Sequence, residues 1–144
     1  MKTPYLYEIE VEWTKDREGL LRSENLQTLG VSSPPEFHGR AGIWTPEHLF
    51  VASVNACFML TFQAIAAIEK LQYSKFKSFA TGKLERGERS FLFTEITLKP
   101  QLAITTHEDI EKARGILEKA ERKCLVSNSI KTSIILEAEI SVEL

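Results

Sequence analysis

Residues 49–68 carry no charge, and this run of 20 residues constrains the fold more than any other feature of the chain. A span of about 20 apolar residues would also cross a bilayer. The run holds Ser53, Asn55, Thr61 and Gln63, however, and five of its residues are only alanine. That polarity favours a helix buried in protein, as the axle of a globular core or of a dimer, over one in lipid. No membrane partner is therefore expected. Thr45-Pro46-Glu47 gives the helix its start. The threonine can cap, proline suits the first turn, and an acid sits at the positive end of the dipole. The helix is expected to run to about Leu71.

Around it the pattern is that of strands. Tyr5, Tyr7, Ile9, Val11 and Trp13 alternate with Leu6, Glu8, Glu10, Glu12 and Thr14, a period of two that predicts a strand with one buried face. Lys15-Asp16-Arg17-Glu18-Gly19 reads as a tight turn, with Gly19 free to take positive φ. A second strand is expected over 20–29. Residues 30–44 contain Pro34-Pro35 and Gly39-Arg40-Ala41-Gly42 and predict a long loop, a feature often functional in compact domains. Residues 76–85 and 90–99 predict a hairpin around Arg86-Gly87-Glu88-Arg89. Thr106 should cap a second helix, with Asp109 as its capping-box partner and Ile110, Ala113, Leu117 and Ala120 as its apolar stripe. Cys124, about four turns beyond Ile110, should point the same way. Ile134, Leu136, Ala138, Ile140, Val142 and Leu144 predict a terminal strand. The order is β-β-α-β-β-α-β, with room for one more short strand before the first helix, and the class is α+β.

Length and charge narrow the partners. At 144 residues, a single domain over 1–144 is the default. Eighteen basic residues are interspersed with 20 acidic ones, so no basic stripe exists and no nucleic-acid partner is expected. Met1-Lys2-Thr3-Pro4 leads straight into the first strand pattern, so no secretory signal is expected. The expected location is the cytoplasm, where two cysteines are more often free than bridged.

Cys57 lies in the long apolar helix and Cys124 at the end of the second. Each taken alone reads first as a small buried hydrophobe. No metal is expected, because no C-x-x-C occurs and His38, His48 and His107 do not stand at ligand spacing from either cysteine.

The segment Thr45-Pro46-Glu47-His48-Leu49-Phe50-Val51-Ala52-Ser53-Val54-Asn55-Ala56-Cys57-Phe58 resembles the PE-x-L-x(6)-A-C-F motif of the OsmC/Ohr family. That family comprises the osmotically inducible protein C and the organic hydroperoxide resistance proteins. Cys124-Leu125-Val126-Ser127-Asn128 is similar to its second motif, usually Cys-Pro-x-Ser-Asn, with Leu125 in place of the proline. Arg17-Glu18-Gly19 resembles the Arg-x-Gly of Ohr-type members. The segment 38–44 lacks those members' fuller glycine run, which makes the chain OsmC-like and makes Arg40 a rival to Arg17.

The resemblance implies an OsmC-like fold. Its subunits have antiparallel sheets, a long central buried helix and a second helix, and they form an entwined homodimer. It implies a thiol-dependent peroxidase acting on organic hydroperoxides, with Cys57 peroxidatic, Cys124 resolving, and Arg17 and Glu47 the activating pair. No cofactor is implied beyond an external thiol or dithiol reductant. Glu47 and Cys57 stand about 15 Å apart along a straight helix. Arg17 must therefore bridge them, or two chains must each contribute. Phe58, with Phe37 or Trp44 from the loop, would favour an organic tail, although core packing accounts for each aromatic equally well. The alternative is a non-catalytic dimeric module that binds a small apolar ligand. A purely structural dimer is a third reading, for which the sequence offers no positive feature.

Overall fold

The computed structural model describes residues 2–143, and the chain divides into two compact units, Met1–Phe50 and Val51–Leu144. Met1, and Leu144 at the end of the expected last strand, lie outside the described residues.

The first unit is an antiparallel sheet of β1 (Glu10–Lys15), β2 (Glu18–Arg22) and β3 (Leu29–Ser32), in that order. The strand expected over 20–29 ends at Arg22, and β3 is the further short strand for which the sequence leaves room before the first helix. Leu26 N–H closes a turn on the Ser23 carbonyl at 3.1 Å, and Asn25 takes φ 65. Asparagine tolerates that left-handed conformation and so breaks the strand. The first turn also differs from expectation. Asp16, at φ 46, makes the left-handed step, while Gly19 pairs with Trp13 inside β2. Glycine is needed there because a Cβ would lie 2.7 Å from the Glu12 carbonyl oxygen. The face of Tyr5, Tyr7, Ile9, Val11 and Trp13, expected to be buried, is exposed throughout. β1 is an edge strand, and none of the described residues buries that face. The long loop is pinned by a 3-10 turn at Pro35–Phe37 and by Ser32 N–H donating to the Trp44 carbonyl at 2.9 Å.

Helix α1 (Pro46–Ile68) begins where the sequence places it: Thr45 Oγ1 accepts from His48 N–H at 3.0 Å. It ends when Lys70 turns left-handed at φ 58 and Leu71 N–H reaches back to the Ala66 carbonyl at 2.9 Å. That bond is the long one of a Schellman motif, here closed without glycine.

In the second unit, β4 (Tyr73–Arg86) and β5 (Phe91–Ile104) form a long antiparallel hairpin. Helix α2 (Ile110–Lys123) follows a 3-10 turn whose Glu108 N–H donates to Thr106 Oγ1 at 3.3 Å. The single terminal strand expected from the alternation is two, β6 (Ser133–Leu136) and β7 (Glu139–Val142), and both run parallel to β5. The sheet is therefore mixed and not antiparallel throughout, because α2 carries the chain back across in a β-α-β crossover. β6 pairs with residues 95–98 of β5 and β7 with 101–104, so Pro100, which has no N–H to offer, falls in the gap between them.

Core residues come from every layer of this unit. Val54, Phe58, Phe62 and Ala66 of α1, each four apart, are buried. The Phe62 ring lies 4.8 Å from that of Phe76 and 5.2 Å from Tyr73. Ile96, Leu98, Leu102 and Ile104 of β5 join Ala113, Ile116, Leu117 and Ala120 of α2. Gly82 of β4 makes room for Val51 of α1 and Phe93 of β5, where a Cβ would collide with both. Burial of α1 is confined to this one stripe, although the helix is apolar nearly all round: only 22% of its most apolar stretch is covered. By length and composition α1 would also suffice to cross a bilayer.

Candidate active site

Cys57 sits in the fourth turn of α1 and Cys124 at the C-terminal end of α2. The tertiary fold brings them together across 67 positions of sequence. Cys124 is wholly buried, at the end of the stripe that buries Ala113, Leu117 and Ala120, and Cys57 is half-buried. Both are free thiols. Cys124 Sγ stands 4.0 Å from the Val54 carbonyl oxygen, and Cys57 Sγ stands 3.9 Å from Thr61 Oγ1, one turn on.

Their surroundings treat the two sulfurs differently. Burial pushes the Cys57 thiol up. The N–H of Val126, the Cys124 thiol, the Thr61 hydroxyl and the N–H of Leu125 together outweigh it, so Cys57 ionises below the ordinary thiol range. Burial is also the largest influence on Cys124, which stays above its ordinary value. The Ser127 hydroxyl and N–H pull it down, but a neighbouring Cys57 thiolate, taking the Cys124 proton as a hydrogen bond, opposes them. Ser127 Oγ is buried and makes no well-aligned hydrogen bond, so proximity alone carries its influence. One thiolate with a protonated thiol donating to it is the arrangement a redox pair needs.

The remaining expected residues lie in the first unit. Arg17 is an exposed residue of the β1–β2 turn and makes no ion pair among the described residues. Glu47 stands in the first turn of α1, with Oε1 buried and unpartnered. Arg17 and Glu47 form no hydrogen bond or ion pair with each other. Arg40, the rival, is engaged: its Nε and Nη2 grip the two carboxylate oxygens of Glu18 at 3.1 and 3.0 Å. That fork holds the Glu18 carboxyl below its usual range.

Sequence reasoning required a cation to activate Cys57. In the second unit main-chain N–H groups, a thiol and a hydroxyl lower it. Thr61 was legible in principle, since four residues after Cys57 is one helical turn. The N–H groups of Leu125 and Val126 were not, because every residue but proline has one.

Residues 39–139 match the family described as OsmC-like protein. The chain belongs to that family. The Peroxiredoxin OsmC of Escherichia coli (strain K12) is 28% identical over 116 residues, covering 81% of this chain and 78% of its own. The Organic hydroperoxide resistance protein of Xanthomonas axonopodis pv. citri is 29% identical over 135 residues, 90% of each chain. YmaD of Bacillus subtilis, an uncharacterized protein, is 23% identical over 141 residues, covering 94% of this chain and 93% of its own. The crystal structure of an organic hydroperoxide resistance protein from Elizabethkingia anophelis matches with a TM-score of 0.78 at 26% identity, over 99% of this chain and 100% of that one.

Proposed function

We propose that the protein is a cysteine-based peroxidase that reduces organic hydroperoxides, with Cys57 peroxidatic and Cys124 resolving. The observation that carries the reading is the asymmetry of the pair: a half-exposed Cys57 made acidic beside a buried Cys124 kept protonated. The names of two relatives, a peroxiredoxin and an organic hydroperoxide resistance protein, support the same chemistry.

The Cys57 thiolate attacks the terminal oxygen of ROOH. The S–O bond forms as the O–O bond breaks, and the leaving alkoxide takes a proton to depart as ROH. Cys57 is then a sulfenic acid. The Cys124 sulfur, losing its proton, attacks the Cys57 sulfur. The disulfide forms and the hydroxyl departs as water. An external thiol or dithiol restores both thiols by exchange, supplying two electrons. Arg17 is the cation that stabilises the developing alkoxide, and Glu47 orients it. Two features support those roles: Arg17 makes no ion pair among the described residues, and it lines a cleft of about 450 Å³ with apolar Val11, Trp13, Val31 and Pro46, suited to an organic tail. The site is completed in a homodimer. The uncovered faces of β1 and α1 support that assembly, since so much exposed apolar surface on one chain marks an interface. Such chemistry suits a reducing compartment, here the cytoplasm, with α1 as a core helix.

The test is a thiol count on reduced protein before and after one equivalent of cumene hydroperoxide. Rapid loss of two thiols to an internal disulfide is expected, abolished by Cys57→Ser and halted at a sulfenic acid in Cys124→Ser. Survival of both thiols for many minutes in excess peroxide would overturn the reading and point to the non-catalytic ligand-binding dimer.

A further inference from the structure

Where α2 ends, the main chain has donors left over. Cys124 is extended, at φ -64 and ψ 112, so the three residues that follow leave the helical ladder. Hydrogen bonding resumes when Asn128 N–H donates to the Cys124 carbonyl at 3.0 Å and Ser129 N–H to the Val126 carbonyl at 3.0 Å. Among the described residues, no backbone oxygen accepts from the N–H of Leu125, Val126 or Ser127. The two sulfurs are acceptors within their reach: the N–H groups of Leu125 and Val126 act on Cys57 and that of Ser127 on Cys124, and Cys124 Sγ itself stands 4.0 Å from the carbonyl of Val54, one turn before Cys57. The turn is fixed from outside by Ser129 Oγ, which donates to the Leu125 carbonyl at 2.8 Å, and by Asn128 Nδ2, which donates to the Arg122 carbonyl at 3.0 Å. The Leu125 side chain is 71% exposed, so this residue serves the site through its backbone.

Resting on the peroxidase reading, we propose that the exit turn of α2 is a main-chain cradle for the Cys57 thiolate, with the N–H groups of Leu125 and Val126 as its donors. Both are positioning residues for the attacking sulfur. Oriented amides perform this task without a buried cation and with no reorganisation during attack. They also sit on the residues directly after Cys124, so the element that steadies the nucleophile carries the resolving thiol. Within the second unit, Cys124 is the titratable side chain facing Cys57, and α1 contributes only the neutral Thr61.

Leu125→Pro deletes one donor and leaves the chain path open, because Cys124 already has the extended conformation that precedes proline. Cys57 alkylation by iodoacetamide would be followed against pH in a Cys124→Ser background, where Cys57 is the sole thiol. Adding Leu125→Pro should slow alkylation roughly tenfold at neutral pH and move its midpoint upward, the effect of losing one charge-assisted hydrogen bond. Leu125→Ala, which restores the N–H, should recover the parent profile. Superimposed profiles for all three, or equal losses for proline and alanine, would overturn the proposal. A second measurement needs no substitution at the turn. The Leu125 and Val126 amide protons of the reduced protein should follow the Cys57 titration by NMR and stop doing so in Cys57→Ser. Amides that stay still would also overturn it. Neither readout requires peroxide, so the cradle stands or falls separately from the peroxidase.

Discussion

Cys57 and Cys124 are chemically identical, and their neighbours alone assign them different work. Cys57, lowered despite burial, gives up its proton more readily than a free cysteine does. Cys124, raised by burial first of all, holds its proton more firmly than a free cysteine does. The sign of each shift gives a pH dependence. The single-turnover rate of Cys57 oxidation should rise with pH and level off below the ordinary thiol range, whereas disulfide closure by Cys124 should keep rising beyond it. Stopped-flow traces of the two phases at several pH values would check this, and coincident profiles would contradict it. The arginines differ in the same way. Arg40 is tied to Glu18 and Arg17 makes no ion pair among the described residues, so Arg17→Ala should lower the second-order rate with cumene hydroperoxide by about 10²-fold. Arg40→Ala should cost far less. Equal losses from both would remove Arg17 from the activating role.

The elements explain how such a site is held. α1 is a helix whose start is set by one residue. Thr45, only 1% exposed, accepts from His48 N–H through its side chain and from Leu49 N–H through its carbonyl, and its hydroxyl also contacts His48 Nδ1 at 2.7 Å. Thr45→Ala should therefore cost about 1–2 kcal/mol of stability, measured by urea unfolding. A change within a few tenths would mean that the cap contributes nothing. At the other end, α1 and α2 are joined by Lys119 and Glu69, whose charged atoms meet at 2.7 Å. The parallel return of β6 and β7 along β5 follows from α2 being a crossover, and that crossover delivers Cys124 to the level of Val54 on α1.

At the scale of the molecule, a single chain leaves too much apolar surface uncovered. Trp13 is 75% exposed and Val11 67% on one face of β1, Tyr7 is 88% exposed in the segment before it, and Leu60 and Ile68 stand open on α1. Light scattering should give about twice the chain mass of 16.3 kDa. Val11→Glu combined with Trp13→Glu should return it to the monomer value by placing charges on that face. A monomer at micromolar concentration in the unaltered protein would refute the homodimer.

By itself the sequence determined what depends on local pattern. The helix start at Thr45, the uncharged run of α1, the hairpin around Gly87 and the stripe of α2 all follow from capping, period and turn chemistry within a few residues. The two motifs around Cys57 and Cys124 also marked the family in advance. What only the tertiary structure decided depends on the path between distant segments. It split the terminal strand at the gap opposite Pro100 and ran both halves parallel to β5. It left the β1 face open, because alternation records which side is apolar but not what covers it. It brought the N–H groups after Cys124 within reach of sulfur, because a main-chain donor has no letter in the sequence and its partner is fixed only when the chain has folded.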